Sequence, residues 1–154
     1  MRISQQLYEE MVEHARQDAP NECCGMIAAR DGDAVRVYRA RNAAASPLRY
    51  ELDPREQYRI QMEIEEQGLE LGAIYHSHTR SAPYPSQTDV NLAFYPSSVY
   101  IIVGVTSAEA DVRAYLIPSR DRIEEVELEV VDDSYSGPEA RSPHQQRRPD
   151  GGAR

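Results

Sequence analysis

Residues 71–78 read LGAIYHSH, an apolar run that ends in two histidines one residue apart. A short run of this kind suits a largely buried β-strand. Side chains two apart on a strand share a face, so His76 and His78 point one way and Ser77 the other. Such a strand needs other layers packed against it, and the rest of the chain has to supply them. A His-x-His pair by itself is more often ordinary surface or core histidine than a metal site.

Other segments supply those layers. Residues 4–17 predict an amphipathic helix, with Leu7, Met11 and Ala15 four apart and Ser4 as N-cap. Pro20 and Asn21 break it. CCGMIAAR and DAVRVYRARN predict two strands of a hairpin around Asp31-Gly32. Asp53-Pro54 predicts a helix start, with Asp as cap and Pro in the first turn, running to Gln67 and ending at Gly68. SQTDVNLAFY reads as a short helix opening near Ser86. SSVYIIVGV, DVRAYLIP and RIEEVELEVV read as three strands. The order α-β-β-α-β-α-β-β-β predicts a mixed α/β fold, one sheet with helices around it.

The 154 residues predict one domain, over residues 1–132. From residue 133 the chain turns to Ser, Pro, Gly, Gln and Arg with few apolar residues, which predicts a disordered tail. Its Gly151-Gly152 pair is weak evidence for any function. The net charge of −9 argues against nucleic acid as the main partner, since phosphate binding needs clustered cations. No apolar run is long enough to span a bilayer, and the polar N-terminus lacks the core of a signal peptide. The expectation is a cytoplasmic protein with no membrane partner. Cys23 and Cys24 are adjacent, which excludes a disulfide framework and leaves two reduced thiols, at least one of them in the core.

The histidine pair gains meaning from Ser86 and Asp89. At the start of a helix, positions three apart share a face. The loop 79–85, stiffened by Pro83 and Pro85, is able to bring that helix end back over the strand end. Two imidazoles and one carboxylate, His76, His78 and Asp89, form a ligand set suited to tetrahedral zinc with a fourth position open. Hydrolysis at such a site also needs a base. Glu22, in NECCG, is a carboxylate beside an apolar segment, although a solvated loop acid is the simpler reading of it alone.

The full pattern is Glu22, His76-x-His78, seven residues, Ser86, two residues, Asp89. It resembles the signature of JAMM metallopeptidases, the active branch of the MPN domain family. The stretches NECCGMIAA, NAAASPLRYELDP and YHSHTRSAPYPSQTDV extend the likeness toward bacterial sulfur-carrier peptidases. The resemblance spans about residues 1–130. It implies the MPN/JAB (cytidine-deaminase-like) fold, with a central, mostly antiparallel curved sheet flanked by helices. It implies one Zn2+ per chain on His76, His78 and Asp89. Glu22 would be general base and then acid, and Ser86 would stabilise the oxyanion. Cys24 matches a residue common in the family, which we read as core.

The implied activity is cleavage after the C-terminal glycine of a small ubiquitin-like sulfur carrier, with release of cysteine. An isopeptidase or a precursor-processing protease for ubiquitin-like modifiers would share the same motif. A non-catalytic MPN scaffold would lack ligands that are present here. A role in DNA processing is opposed by the acidic charge. The substrate tail is expected to lie along a sheet edge near the zinc, with residues 79–85 as one wall and Tyr84 within reach of it. Neither the carrier nor the oligomeric state follows from the sequence.

Overall fold

The computed structural model describes residues 1–134. The first helix, α1 (Gln5–Asp18), is capped by Ser4, whose hydroxyl accepts the Leu7 N–H at 3.2 Å. The second, α2 (Pro54–Glu66), starts where Asp53 accepts the N–H groups of Arg55 and Glu56. It stops before Gly68, whose φ of +67° suits glycine and ends the helix. The third, α3 (Gln87–Asn91), is shorter than the ten residues the sequence suggested. Pro96 explains part of this, because the residue before a proline is pushed away from helical backbone.

The strands are β1 (Arg2–Ser4), β2 (Cys24–Arg30), β3 (Asp33–Ala40), β4 (Glu70–His78), β5 (Val99–Gly104), β6 (Asp111–Ser119), β7 (Arg122–Val126) and β8 (Glu129–Val131). They form one mostly antiparallel sheet in the order β7-β6-β5-β4-β2-β3-β1-β8. Two differences from the sequence reading concern its ends. The alternating segment RIEEVELEVV is two strands rather than one, and residues 2–4 form a strand that periodicity missed. Three residues are too few to show a period, and β1 exists only because it pairs in parallel with β3 and β8.

The strands β7 and β8 lie at opposite ends of the strand order, yet only residues 127 and 128 separate them. At roughly 3.6 Å per residue the connection spans about 11 Å at most. The sheet therefore curls until its two edges approach each other, which gives the curved sheet expected from the family resemblance.

Alternation along the central strands builds two apolar layers. Ile27, Ala73, Tyr75, Ile101 and Val103 join Met11 and Ala15 of α1 on one face. Met26, Ile74, Tyr100 and Ile102 join Ile60 and Ile64 of α2 on the other. Cys23 and Cys24 are both free and fully buried, one in each layer. Burial pushes the Cys23 thiol up to about 12 and Cys24 further still, so neither forms a thiolate nucleophile near neutral pH. No helix among the described residues is long and apolar enough to cross a membrane.

The described residues run past the expected domain end at 132. Asp133 accepts the Gln6 N–H at 2.9 Å and so is tied to the first turn of α1. The remaining tail, including Gly151-Gly152, lies outside the described residues.

Candidate metal centre

His76 and His78 close β4, on the sheet face that carries α2. Ser77 turns to the opposite face, where its hydroxyl accepts the Cys23 N–H at 2.8 Å. That bond continues the pairing of β4 with β2, in which Cys24 stands opposite His76. Glu22, two residues before Cys24, is thereby carried to the same end of the sheet.

Backbone bonds hold Glu22 on both sides. Its N–H donates to the Ser46 carbonyl at 2.9 Å, and its carbonyl accepts from Asn42 Nδ2 at 3.0 Å. Asn42 is itself buried. Its Nδ2 also donates to the Arg49 carbonyl, and its Oδ1 accepts the Ala44 and Glu51 N–H groups. This one amide gathers the loop 42–51 around Glu22. The sequence placed it in the stretch NAAASPLRYELDP but gave it no role, because its partners are backbone groups that only the folded loop supplies.

Asp89 arrives on α3. The Ser86 hydroxyl accepts the Asp89 N–H at 3.1 Å, and Asp89 Oδ2 accepts the Ser86 N–H at 2.9 Å. This reciprocal capping box fixes the first turn of a helix too short to be stable alone. The same Oδ2 lies 3.1 Å from His76 Nε2 and 3.0 Å from His78 Nε2, and the two Nε2 atoms are 3.1 Å apart.

The structure thus brings together Glu22, His76, His78 and Asp89. All four are buried, and one ligand atom from each lies within 4.8 Å of those of the others. Ser86 stays exposed at the rim, as the cap that positions Asp89.

The donor set fits a zinc ion. Tetrahedral bonds of about 2.0–2.1 Å hold ligand atoms about 3.3 Å apart, so the near-equilateral triangle of His76, His78 and Asp89 needs only a slight spread. Glu22 Oε1 is buried without a hydrogen-bond partner among the described residues, as is His76 Nδ1. An unpaired buried carboxylate oxygen costs free energy, and a group bound in the centre would relieve it.

The two candidate histidine ligands are oriented by different means. His78 Nδ1 donates to the Ala82 carbonyl at 2.8 Å, which makes Nε2 the nitrogen the neutral ring would offer to a metal in place of its contact with Asp89. His76 instead stacks on Tyr50, with ring centroids 4.3 Å apart and planes 20° from parallel.

The electrostatics separate the two carboxylates. Burial lifts the Glu22 carboxyl to about 7, against a lowering by His78, and Asp89 adds to the rise. Burial also disfavours ionised Asp89, but hydrogen bonds from His76 and His78, the His76 charge and the Ser86 N–H outweigh it. Asp89 is held well below the usual carboxylate range. Burial keeps His76 below the ordinary histidine value in spite of Asp89. For His78 burial acts the same way, yet Asp89 and the Ala82 carbonyl prevail and the net shift is upward. In the metal-free site one carboxyl is thus raised toward neutrality and the other firmly ionised.

A surface groove of about 970 Å3 runs along α1 and shares no residue with this cluster. A smaller apolar pocket of about 220 Å3 is lined by Tyr50, Ile74 and Phe94, among others, so it adjoins the centre through Tyr50.

Residues 4–118 match the model of the prokaryotic homologues of the JAB domain. The chain is 38% identical over 118 residues to the CysO-cysteine peptidase of Mycobacterium tuberculosis, covering 75% of this chain and 81% of that one. It is 42% identical over 102 residues to the desampylase of Haloferax volcanii, covering 61% and 73%. The solution structure of protein DSY2949 from Desulfitobacterium hafniense superposes with a TM-score of 0.75 at 33% identity, covering 85% of this chain and 91% of that one.

Proposed function

The chain belongs to the prokaryotic JAB-domain family, within the JAMM/MPN+ metallopeptidases, and from that premise we propose that it is a zinc metallopeptidase acting after the C-terminal glycine of a small ubiquitin-like sulfur-carrier protein, with release of cysteine. The observation that carries this reading is the convergence of Glu22, His76, His78 and Asp89 in one buried cluster, with Glu22 Oε1 unpaired.

His76, His78 and Asp89 would hold one Zn2+ per chain. When bound, the ion supplies a Lewis acid and acidifies water. Glu22 takes a proton from the attacking water and delivers it to the leaving amine as the C–N bond breaks. In the metal-free site burial lifts this carboxyl to about 7, and a bound cation would draw it down toward the ionised form a base needs. Ser86 Oγ spends a lone pair on the Asp89 N–H, and its own hydrogen remains free to meet the carbonyl oxygen as negative charge builds there. Glu22 and Ser86 are therefore the catalytic pair.

The likeness to a CysO-cysteine peptidase supports cysteine as the leaving group. The likeness to a desampylase favours a second reading, in which a conjugate or precursor of a ubiquitin-like modifier is cut at the same bond. A scaffold without catalysis is opposed by the complete cluster. We place the reaction in the cytoplasm, with no nucleic acid among its partners, in keeping with the net charge of −9.

Intact-mass spectrometry tests the reading. A small sulfur carrier ending in Gly-Gly-Cys should lose one cysteine in the presence of the zinc-loaded enzyme, and keep it when a chelator is added. Loss of mass only from lysine-linked conjugates would move the function to the second reading. No cleavage of either substrate by protein with full zinc content would overturn both.

A further inference from the structure

The four-residue cluster does not include Tyr115, on β6. Its ring is 3% exposed, and its hydroxyl donates to the Pro83 carbonyl at 2.5 Å. The neighbouring carbonyl, one peptide earlier, is that of Ala82, which accepts from His78 Nδ1 at 2.8 Å. Tyr115 and His78 thus grip adjacent carbonyls of one loop. Among the described residues, every other hydrogen bond between residues 80–85 and the sheet is made by His78 itself. Prolines at 83 and 85 remove two N–H donors the loop would otherwise offer.

Packing reinforces the grip. A Cβ at Gly104 would lie 3.1 and 3.2 Å from the Pro83 ring, so that ring rests on bare backbone. Gly104 pairs with His78 across the sheet, which seats the loop directly over the strand end bearing the ligand. Tyr84 adds an edge-on contact to the Tyr115 ring, with centroids 5.7 Å apart.

We propose that Tyr115 is a positioning residue for His78: by anchoring the 79–85 loop it keeps the Ala82 carbonyl on Nδ1–H, and so keeps Nε2 aimed into the metal centre. The inference rests on the metallopeptidase reading above. Groups that orient a ligand histidine typically change metal affinity 10–100-fold when lost. Tyr115 acts one peptide further out, which puts its effect at the lower end, about tenfold.

The test is zinc affinity, measured by competition with a chromophoric chelator, for wild type, Tyr115→Phe and Tyr38→Phe. Tyr38 is a second buried tyrosine whose hydroxyl accepts one hydrogen bond among the described residues, from Gln67 Nε2, with no link to His78. Melting curves of the metal-free proteins report the structural cost of each lost hydroxyl. The expected result is zinc binding weakened about tenfold in Tyr115→Phe and within twofold of wild type in Tyr38→Phe, at similar metal-free melting temperatures. Unchanged affinity in Tyr115→Phe, or an equal loss in Tyr38→Phe, overturns the proposal while leaving the proposed function in place. A wild type that binds no zinc removes both.

Discussion

Asp89 Oδ2 accepts the Ser86 N–H at 2.9 Å while facing both imidazole nitrogens at 3.0–3.1 Å. One oxygen thus closes a helix cap and completes the triangle of candidate ligand atoms. The Ser86 side chain is tied to the same cap through the Asp89 N–H. Local helix chemistry and the candidate metal centre cannot be altered independently at these two positions.

Substitutions at Ser86 should reveal both jobs. Ser86→Ala removes a hydroxyl cap, which costs roughly 1 kcal/mol of stability, and an oxyanion donor, which costs on the order of 100-fold in kcat. Ser86→Thr retains both groups and should recover most of the rate. Steady-state kinetics beside thermal melting separates the two effects. An Ala variant with unchanged kcat would leave Ser86 as a cap alone.

Glu22→Gln should keep its zinc and lose turnover by at least about 100-fold, the usual contribution of a general base. His78→Ala should lose both. Metal content by elemental analysis, taken with the cysteine-release assay, distinguishes the two classes. Normal turnover in Glu22→Gln would sink the proposed proton path.

The raised carboxyl of Glu22 makes a pH prediction for the metal-free protein. Its folded value, about 7, lies above the ordinary 4.5. Below pH 4.5 the group is protonated in both folded and unfolded chains and costs nothing. Between 4.5 and 7 only the unfolded chain releases the proton, so this group's contribution to stability is lost as pH rises. Above 7 the loss is complete, at a few kcal/mol by order of magnitude. Glu22→Gln removes the titration, so its stability relative to wild type should rise across that window. Urea unfolding with chelator at pH 4.5 and 7.5 measures the difference, and a constant gap between the variants would refute the assignment.

Asn42→Ala should be costly out of proportion to its size. It strands the carbonyls of Glu22 and Arg49 and the N–H groups of Ala44 and Glu51. The bond to the Glu22 carbonyl is the fully buried one, and an unpaired buried group costs about 1–3 kcal/mol; the other three, nearer the surface, cost less. We expect a marked drop in melting temperature, and a fall in kcat at unchanged zinc content because Glu22 loses its seat. A variant with wild-type kcat would show that Ser46 holds Glu22 without help.

The sequence alone determined the elements whose causes are local. Ser4 and Asp53 cap helices through their own first turns, and Asp31-Gly32 turns a hairpin with both residues at positive φ. The two-residue period of β4 put His76 and His78 on one face, and the three-residue spacing of Ser86 and Asp89 made a cap. These follow from backbone geometry that any short segment carries with it. Glu22 joins that set through the likeness to a known family, since no local spacing ties it to the histidines.

Tertiary structure decided everything that depends on distant pairing. The pairing of β1 with β8 splits one apparent strand in two and curls the sheet, because strand edges find partners in space rather than in sequence. Asn42 around Glu22, Tyr50 against His76 and Tyr115 behind His78 act on groups that no short window contains. A motif names the atoms that do chemistry through their residue types. The groups that aim those atoms work through backbone carbonyls and ring faces, which every residue or any aromatic offers, so only the fold identifies them.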